Sequence, residues 1–237
     1  MSSQYIGALS LLLIAPLSNK YNIIREKLVI ALEKHRAHKV EEKYGIKLAY
    51  PPRAFPFDSF YRDYFQVPSF LRNLEVAIDV GTSIGDFSLI AAKAFGARKV
   101  IAVEPEPTFY SYLLKNIRLN KPDNVVVPLN VALSDKAGTL TLYYNGTQLS
   151  VRGSKARICP SITLDKLIHD LELRRVSLIK IDTEGSEIDI LKGARNTINT
   201  FRPRLIVEVH SKRDRDAAIK LLRSYNCKEV YEKVKFP

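Results

Sequence analysis

The sequence predicts an α/β domain with a doubly wound, mostly parallel β-sheet and an N-terminal helical extension. After residue 75, short apolar runs alternate with longer segments of helical periodicity, a pattern typical of strands that helices cover on both faces. The composition, 46% hydrophobic and 26% charged, provides enough apolar side chain for a core, which excludes a wholly disordered or collagen-like chain. The length of 237 residues fits one domain with an appendage.

Residues 1–70 are predicted to form a helical extension and linker, and residues 71–237 the α/β domain. In residues 22–42, apolar positions recur at helical spacing among charged ones, which predicts an amphipathic helix. The proline-rich residues 50–57 cannot continue a helix and form the predicted linker. The apolar residues 5–17 are too few to span a bilayer, so no transmembrane segment is predicted. A packed helix is favoured there, and membrane-surface attachment or a homo-oligomer contact through the N-terminal helices stays open.

The predicted elements of the α/β domain follow in order along the chain. Strands are predicted at residues 76–80, 99–103, 124–128, 138–144, 176–181, 204–209 and 228–235, and helices at residues 84–95, 108–119, 186–200 and 212–225. The segment 138–144 alternates like a half-exposed strand, and Asn145-Gly146 after it indicates a turn.

Charge and cysteine content narrow the function classes. The 37 Lys and Arg against 25 Asp and Glu give a net charge of +12, which attracts anionic substrates or nucleic acid but identifies neither. The two cysteines, Cys159 and Cys227, are too few and too far apart in sequence for a disulfide framework or a zinc cluster. We therefore expect a reducing, cytoplasmic location.

A segment containing two glycines follows the first predicted strand of the domain. It reads Asp79-Val80-Gly81-Thr82-Ser83-Ile84-Gly85. Ligands of open parallel sheets lie at the carboxyl ends of the strands, and glycines there let the backbone turn sharply and approach a ligand closely. The segment therefore predicts a ligand-binding turn, although a glycine pair alone can also make a plain strand-to-helix turn.

Glu104 ends the next predicted strand and can accept hydrogen bonds from both ribose hydroxyls of a nucleoside. Ser83 stands where the fingerprint of a dinucleotide site has glycine, and Asp79 suits a cationic ligand better than a pyrophosphate. Together the two carboxylates favour S-adenosylmethionine, whose sulfonium and amino groups are positive.

Three carboxylates surround Gly185 after the strand predicted at residues 176–181. They are Asp182, Glu184 and Glu187. Carboxylates beside the crevice can hold a substrate hydroxyl, take its proton or bind a metal. Glu187 is expected in the first turn of the next helix, where the helix dipole favours acids. The sequence does not require a metal, and no metal ligand is assigned.

Six segments together resemble the FkbM family of S-adenosylmethionine-dependent methyltransferases over roughly residues 75–210. They are Ile78-Asp79-Val80-Gly81 with Ile84-Gly85-Asp86, Val103-Glu104-Pro105, Asn130-Val131-Ala132-Leu133-Ser134-Asp135 with Gly138, Ile162-Thr163-Leu164-Asp165, residues 179–187 with Leu191-Lys192-Gly193-Ala194, and Pro203 with Glu208-Val209-His210. The order and spacing of the six are specific, whereas any one of them is a weak signal.

The resemblance implies the class I, Rossmann-like methyltransferase fold and S-adenosylmethionine as the cofactor. It implies the cofactor over the glycines, its ribose on Glu104 and its adenine near Pro105, Ala132 and Leu133. The complete set of expected cofactor residues is Asp79, Gly81, Thr82, Ser83, Gly85, Glu104, Pro105, Ala132, Leu133 and Asp182. The family usually has Asn near position 83, so Ser83 is expected to change the hydrogen bonding to the methionine end of the cofactor.

The resemblance also implies methyl transfer to a hydroxyl oxygen, and we predict an O-methyltransferase for a sugar, glycan or small metabolite. Asp182 is the first candidate for binding the acceptor hydroxyl or taking its proton, and Glu184 and His210 are the next candidates. Two rival classes stay open. The +12 charge would suit an RNA methyltransferase, although nucleic acid is not the favoured partner, and a non-catalytic binding protein could have kept the fold.

Acceptor choice is expected in the N-terminal extension and in a loop at residues 145–160. Within that loop, Arg152, Lys155 and Arg157 are predicted to lack acidic partners and could hold a phosphate or carboxylate of the acceptor. A solvated basic loop is the alternative.

Overall fold

A computed structural model describes residues 39–43, 45–50, 71, 73–121, 124–144, 149–150, 155–209, 211–225 and 227. The strands in these ranges are β1 (Lys39–Lys43), β2 (Ile46–Tyr50), β3 (Val76–Val80), β4 (Lys99–Val103), β5 (Val126–Leu129), β6 (Ala132–Leu133), β7 (Gly138–Tyr144), β8 (Leu149–Ser150), β9 (Lys155–Ile162), β10 (Leu178–Ile181) and β11 (Arg204–Val207). The helices are α1 (Asp86–Lys93), α2 (Pro107–Asn120), α3 (Leu164–Asp170), α4 (Glu187–Lys192), α5 (Arg195–Phe201) and α6 (Lys212–Ser224).

The main sheet has the strand order β11-β10-β3-β4-β5, and its strands are parallel throughout. All five residues of the central strand β3 are buried, as expected for a strand covered on both faces. Val80 at its carboxyl end is paired with Val103 of β4 and with Ile181 of β10. The doubly wound, parallel arrangement predicted from the sequence is therefore confirmed.

The two faces of this sheet carry separate apolar cores. On one face, Phe87 of α1 and Leu113 of α2 pack with Ala77 of β3. On the other face, alternate strand residues such as Ile78 pack with Leu164 of α3 and Ile190 of α4. Alternation along each strand thus divides its side chains between the two helix layers.

A second, four-stranded sheet has the order β6-β9-β7-β8. Strand β9 pairs with β7 from Gly138 opposite Ser161 to Tyr144 opposite Lys155. The prediction of a loop throughout residues 145–160 is therefore wrong, because β8 and β9 lie within that range. No apolar run marks β9, and its pairing with β7 is what makes it a strand; the turn predicted at residues 145–146 lies outside the described residues.

The described part of the N-terminal extension is a β-hairpin of β1 and β2. The helix predicted over residues 22–42 is therefore wrong for its end, and residues 22–38 lie outside the described part, as do residues 51–57 of the predicted linker. Two asparagines of α2 hold the hairpin: Asn116 bonds the backbone N–H and C=O of Ala49 at 2.6 and 2.9 Å, and Asn120 those of Lys47 at 2.9 and 2.6 Å. These side-chain amides make the hydrogen bonds that a neighbouring strand would otherwise make with the backbone of β2.

The single helix predicted over residues 186–200 is two helices, α4 and α5, with a break at Gly193. A Cβ on Gly193 would lie 2.1 Å from the Ser134 carbonyl oxygen, so the chain passes too close to Ser134 for any side chain. Asp165 then accepts hydrogen bonds from the N–H groups of Asn196 and Thr197 and starts α5 as a capping group. Both partners are distant in sequence, which is why helical periodicity did not reveal the break.

None of the helices within the described ranges is long and apolar enough to cross a membrane. The strand predicted at residues 228–235 and the predicted site residue His210 lie outside those ranges.

Candidate active site

Three of the predicted segments meet at the carboxyl edge of the main sheet. We call residues 81–85, after β3, the glycine turn, and residues 182–186, after β10, the acidic turn. Glu104 follows β4, the other neighbour of β3. The parallel pairing of β4, β3 and β10 brings the glycine turn between Glu104 and the acidic turn.

The backbone of the glycine turn is held against both neighbouring strands. The N–H groups of Gly81 and Thr82 donate to the Val103 carbonyl at 3.0 and 3.1 Å. Gly81 has a φ of +77°, and a Cβ there would lie 1.9 Å from the Asp182 carbonyl oxygen. Only glycine fits this contact between the glycine turn and the acidic turn.

Asp79 lies beneath the glycine turn and is completely buried. Its Oδ2 accepts hydrogen bonds from the hydroxyls of Thr82 at 2.6 Å and Ser88 at 2.7 Å. Its Oδ1 receives no hydrogen bond from the described residues and lies 3.6 Å from the ammonium of Lys180. In this structure the carboxylate therefore holds the turn in place from below.

Glu104 joins two loops from a buried position, with 4% of its surface exposed. Its Oε2 accepts from the N–H of Ser83 and its Oε1 from the N–H of Glu106, both at 2.8 Å. Burial raises the pKa of Glu104 to about 8, and the bond from Glu106 partly offsets this rise. The side-chain amide of Asn130, just after β5, holds the same residue by donating to the Glu104 carbonyl at 2.6 Å.

The acidic turn is closed by Glu187, the first residue of α4. This nearly buried carboxylate accepts from the N–H groups of Thr183 and Gly185 and from the Thr183 hydroxyl, at 3.0 to 3.1 Å. Its place in the first helical turn agrees with the sequence expectation. Glu184 adopts a left-handed φ of 57° within the turn, and Asp182 leaves 19% of its side chain exposed at the edge of the sheet.

Lys180 was not predicted as a site residue, and it lies on β10 between the carboxylates of Asp79 and Asp182. Its ammonium is 3.1 Å from Asp182 Oδ2, and its side chain is only 6% exposed. The signal was present in the sequence, since a lysine interrupts the apolar run Leu178-Ile179-Lys180-Ile181. A lysine inside a strand that is buried on both faces needs a carboxylate partner.

The residues expected near an adenine lie on the β4 and β6 side of the glycine turn. Pro105 is partly buried, and the side chains of Ala132 and Leu133 are 3% exposed. Ala132 packs with Leu142 and Cys159, and Leu133 packs into the main core.

Arg157 corrects the prediction that the basic residues of this region lack acidic partners. Its guanidinium lies 3.3 Å from Glu106 Oε1, and Glu106 in turn caps α2 by accepting from the N–H of Phe109 at 2.8 Å. Arg152 and the side chain of Lys155 lie outside the described part of the chain.

Within the described residues, no three His, Cys, Asp or Glu side chains are placed to hold a metal ion together. An open cavity of about 340 Å³ lies at the opposite edge of the sheet, lined by Glu75, Arg175, Val176, Ser177, Phe201, Arg202 and Arg204. Ligands of parallel sheets bind at the carboxyl edge, so the candidate site lies at the carboxyl ends of the strands and not in this cavity.

A parallel, helix-covered sheet with a glycine turn and an acid ending the next strand is typical of the class I methyltransferase fold. The FkbM methyltransferase domain matches residues 79–233, which is more than half of the chain. The protein therefore belongs to the FkbM methyltransferase family.

Two curated relatives of the chain are named as methyltransferases. The hexuronic acid methyltransferase AglP of Haloferax volcanii is 30% identical over 154 residues, which are 62% of this chain and 61% of that protein. Methyltransferase sdnD of Sordaria araneosa is 29% identical over 152 residues, 49% of this chain and 59% of that protein. The matched region thus spans about 60% of the length of each relative.

Among solved structures, the methyltransferase FkbM of Methylobacillus flagellatus superimposes with a TM-score of 0.50 and 22% identity. The match covers 63% of this chain and 37% of that one, and it supports the fold.

Proposed function

We propose that this protein uses S-adenosylmethionine to methylate a hydroxyl oxygen on a sugar or small metabolite. The observation that carries this proposal is the grouping of Asp79, Glu104 and Asp182 around one glycine turn at the carboxyl edge of the sheet. Membership of a methyltransferase family supports the reaction class. The name of one relative, a hexuronic acid methyltransferase, supports a sugar acceptor.

The residues at this edge fit such a cofactor. A carboxylate has about four acceptor positions, and Glu104 uses two of them for backbone N–H groups. The raised pKa of Glu104, caused by burial, is typical of a carboxylate with too few donors around it. Two ribose hydroxyls would supply the missing donors. The Asp79 and Asp182 carboxylates, with Lys180 between them, leave an excess negative charge that suits a cationic ligand.

In the proposed complex, the backbone of Gly81, Thr82, Ser83 and Gly85 would pass beneath the cofactor, with Pro105, Ala132 and Leu133 on its adenine side. S-adenosylmethionine supplies a methyl group activated by a positively charged sulfur. The chain's own contribution is alignment of the acceptor oxygen, which can be worth several kcal/mol, and acceptance of its proton. Asp182 is proposed for the proton because its carboxylate is partly exposed beside the glycine turn, with Glu184 and His210 as the alternatives.

A methyl-transfer screen tests the reaction and the acceptor class together. Purified protein with labelled cofactor is offered sugars, uronic acids, small hydroxylated metabolites, lipids and RNA. We expect label on a hydroxyl of a sugar or metabolite. Transfer to RNA, with steep salt dependence, would replace the proposed acceptor, and the absence of saturable cofactor binding in calorimetry would favour a non-catalytic protein.

The Asp182→Asn variant tests the proposed proton acceptor. The amide keeps the shape of the side chain but cannot take a proton, so we expect a transfer rate about 100- to 10,000-fold lower at saturating cofactor. Single-turnover transfer and the melting temperature are measured on the same preparation. Full activity with a lowered melting temperature would move the chemical role to Glu184 or His210.

A further inference from the structure

Lys180 places a positive charge in the centre of the sheet, directly below the proposed site. Its neighbours on β10, Ile179 and Ile181, are completely buried. Its ammonium lies 3.6 Å from Asp79 Oδ1 and 3.1 Å from Asp182 Oδ2, and 5.7 Å from the centre of the Phe87 ring. A single ammonium therefore contacts the carboxylate below the glycine turn and the carboxylate that begins the acidic turn.

Stability alone does not explain this arrangement. The desolvation free energy of a buried ion pair is about as large as the attraction between its charges. Replacing such a pair by apolar side chains of similar volume therefore often leaves the stability unchanged. Met or Leu at position 180 would continue the apolar run of β10. A lysine instead places one positive charge between the Asp79 carboxylate on β3 and the Asp182 carboxylate just after β10. Its contacts with both set the distance between them.

The charged groups around Lys180 come from each packed element. Asp79 lies on β3, Asp182 follows β10, and Asp86 begins α1. Desolvation raises the pKa of Asp86 to about 6, while the Lys180 ammonium opposes the rise and the Asp79 and Asp182 carboxylates add to it. Lys180 thus acts electrostatically on several carboxylates of this edge.

We propose that Lys180 is a positioning residue for methyl transfer, which holds the Asp182 carboxylate in one orientation and at a set distance from the glycine turn. This inference rests on the proposed function. As the acceptor oxygen gains the methyl carbon and the carbon–sulfur bond leaves its electron pair on sulfur, the hydroxyl proton passes to an oxygen of Asp182. Without the ammonium, that carboxylate loses the contact that sets its orientation.

The Lys180→Gln variant measures this role in single-turnover transfer at saturating cofactor. We expect a rate about 100-fold lower. Lys180→Arg keeps the charge and the donors that face the two carboxylates, so it should restore most of the rate. An unchanged rate per folded molecule in Lys180→Gln would overturn the proposal, even if the melting temperature fell.

A second pair of variants keeps the test valid if Lys180→Gln fails to fold because Asp79 is left buried without its partner. Asp79→Asn removes that buried charge, so the double variant Asp79→Asn/Lys180→Gln is compared with Asp79→Asn alone. The proposal expects transfer in the double variant to be about 100-fold slower than in Asp79→Asn alone. Equal rates in the two proteins would show a merely structural lysine.

A measurement without turnover separates this inference from the proposed function. A buried, paired ammonium exchanges its protons slowly, so ¹⁵N NMR of labelled lysines should give a Lys180 resonance that moves in Asp182→Asn and disappears in Lys180→Arg. A resonance unaffected by Asp182→Asn would overturn the inference whatever the transfer screen gives. A sensitive resonance with no methyl transfer to any acceptor would overturn the proposed function alone.

Discussion

The glycine turn and the acidic turn are built from similar parts but are held in different ways. Each follows a buried strand, contains left-handed backbone and is bound by a carboxylate. In the acidic turn that carboxylate is Glu187, four residues beyond the Thr183 N–H that it accepts. In the glycine turn the N–H of Ser83 donates to Glu104, which is 21 residues away, just after another strand.

The Glu187 contact is a local support, because it lies within one turn. The Glu104 contact is a coupling contact, because it joins parts of the chain that are distant in sequence. Glu187 satisfies the donors of its own turn, so the acidic turn is largely fixed by its own sequence. Glu104 joins the glycine turn to the start of α2 through Glu106, so its position depends on the whole sheet. A carboxylate of the second kind can respond to a ligand, because its hydrogen bonds link elements that meet only at the site.

The largest effect is expected where the two turns touch. In Gly81→Ala the added Cβ would lie 1.9 Å from the Asp182 carbonyl, so the free energy of unfolding should fall by about 4 kcal/mol or the protein should not fold. Gly96→Ala is the matched control, because Gly96 also has a positive φ, +65°, but no atom within 4 Å of the added Cβ. It should cost only about 1 kcal/mol. Equal losses in denaturant unfolding would show that backbone strain, rather than this contact, fixes Gly81.

Removing the local support should have the next largest effect. Glu187→Ala leaves the N–H groups of Thr183 and Gly185 without their acceptor, and we expect a loss of about 3 kcal/mol in the free energy of unfolding. Asp189→Asn, which changes an exposed acid in the first turn of the same helix, should change it by less than about 0.5 kcal/mol. A small loss in Glu187→Ala would mean that the acidic turn is held mainly by β10.

Removal of the Glu104 carboxylate, the coupling contact, should weaken cofactor binding and change its pH dependence. Glu104→Ala should weaken S-adenosylmethionine binding by at least about 2 kcal/mol, since hydrogen bonds to a charged acceptor are worth roughly 1.5 to 3 kcal/mol each. In the wild-type protein the pKa of about 8, raised by burial, means that binding to the ionised form must release a proton below that pH. Cofactor affinity in calorimetry should therefore rise with pH up to about 8 and then level off, whereas Glu104→Gln should show no such rise.

The same pKa sets the sign for stability in the absence of cofactor. Glu104 binds its proton more tightly in the folded protein, where its pKa is about 8, than at the ordinary value of 4.5. Its contribution to the free energy of unfolding is therefore full below pH 4.5 and is lost as the pH rises toward about 8. Asp86, with its pKa raised to about 6 by desolvation, acts in the same direction over a lower range. A Glu104→Gln protein with an unchanged stability profile above pH 6 would contradict this assignment.

The smallest effect is expected at Ser83, whose φ of 52° is left-handed. Asparagine, the residue that the family resemblance leads one to expect there, tolerates this conformation better than serine. Ser83→Asn should raise the free energy of unfolding by about 0.5 kcal/mol, while Ser83→Ala should not. A gain in both variants would indicate that the serine hydroxyl, rather than the backbone, is the source of strain.

The sequence by itself determined the elements of the main sheet and the sheet edge at which a ligand is predicted to bind. Continuous apolar runs marked β3, β4 and β10, and glycines and acids just after them marked the turns. These features are local, because periodicity and turn residues act on neighbouring positions of the chain. The cofactor residues placed on this edge stay predictions until a ligand is bound.

Only the tertiary structure decided which charged groups share a contact and where periodic segments are broken. Residues distant in sequence meet in the pairing of Lys180 with Asp79, of Arg157 with Glu106 and of the β1–β2 hairpin with Asn116. The division of α4 from α5 depends on Ser134 and Asp165 in the same way. The physical reason is that most buried polar groups need a hydrogen-bond or charge partner. That partner is the side chain that the order of strands in the sheet places beside them.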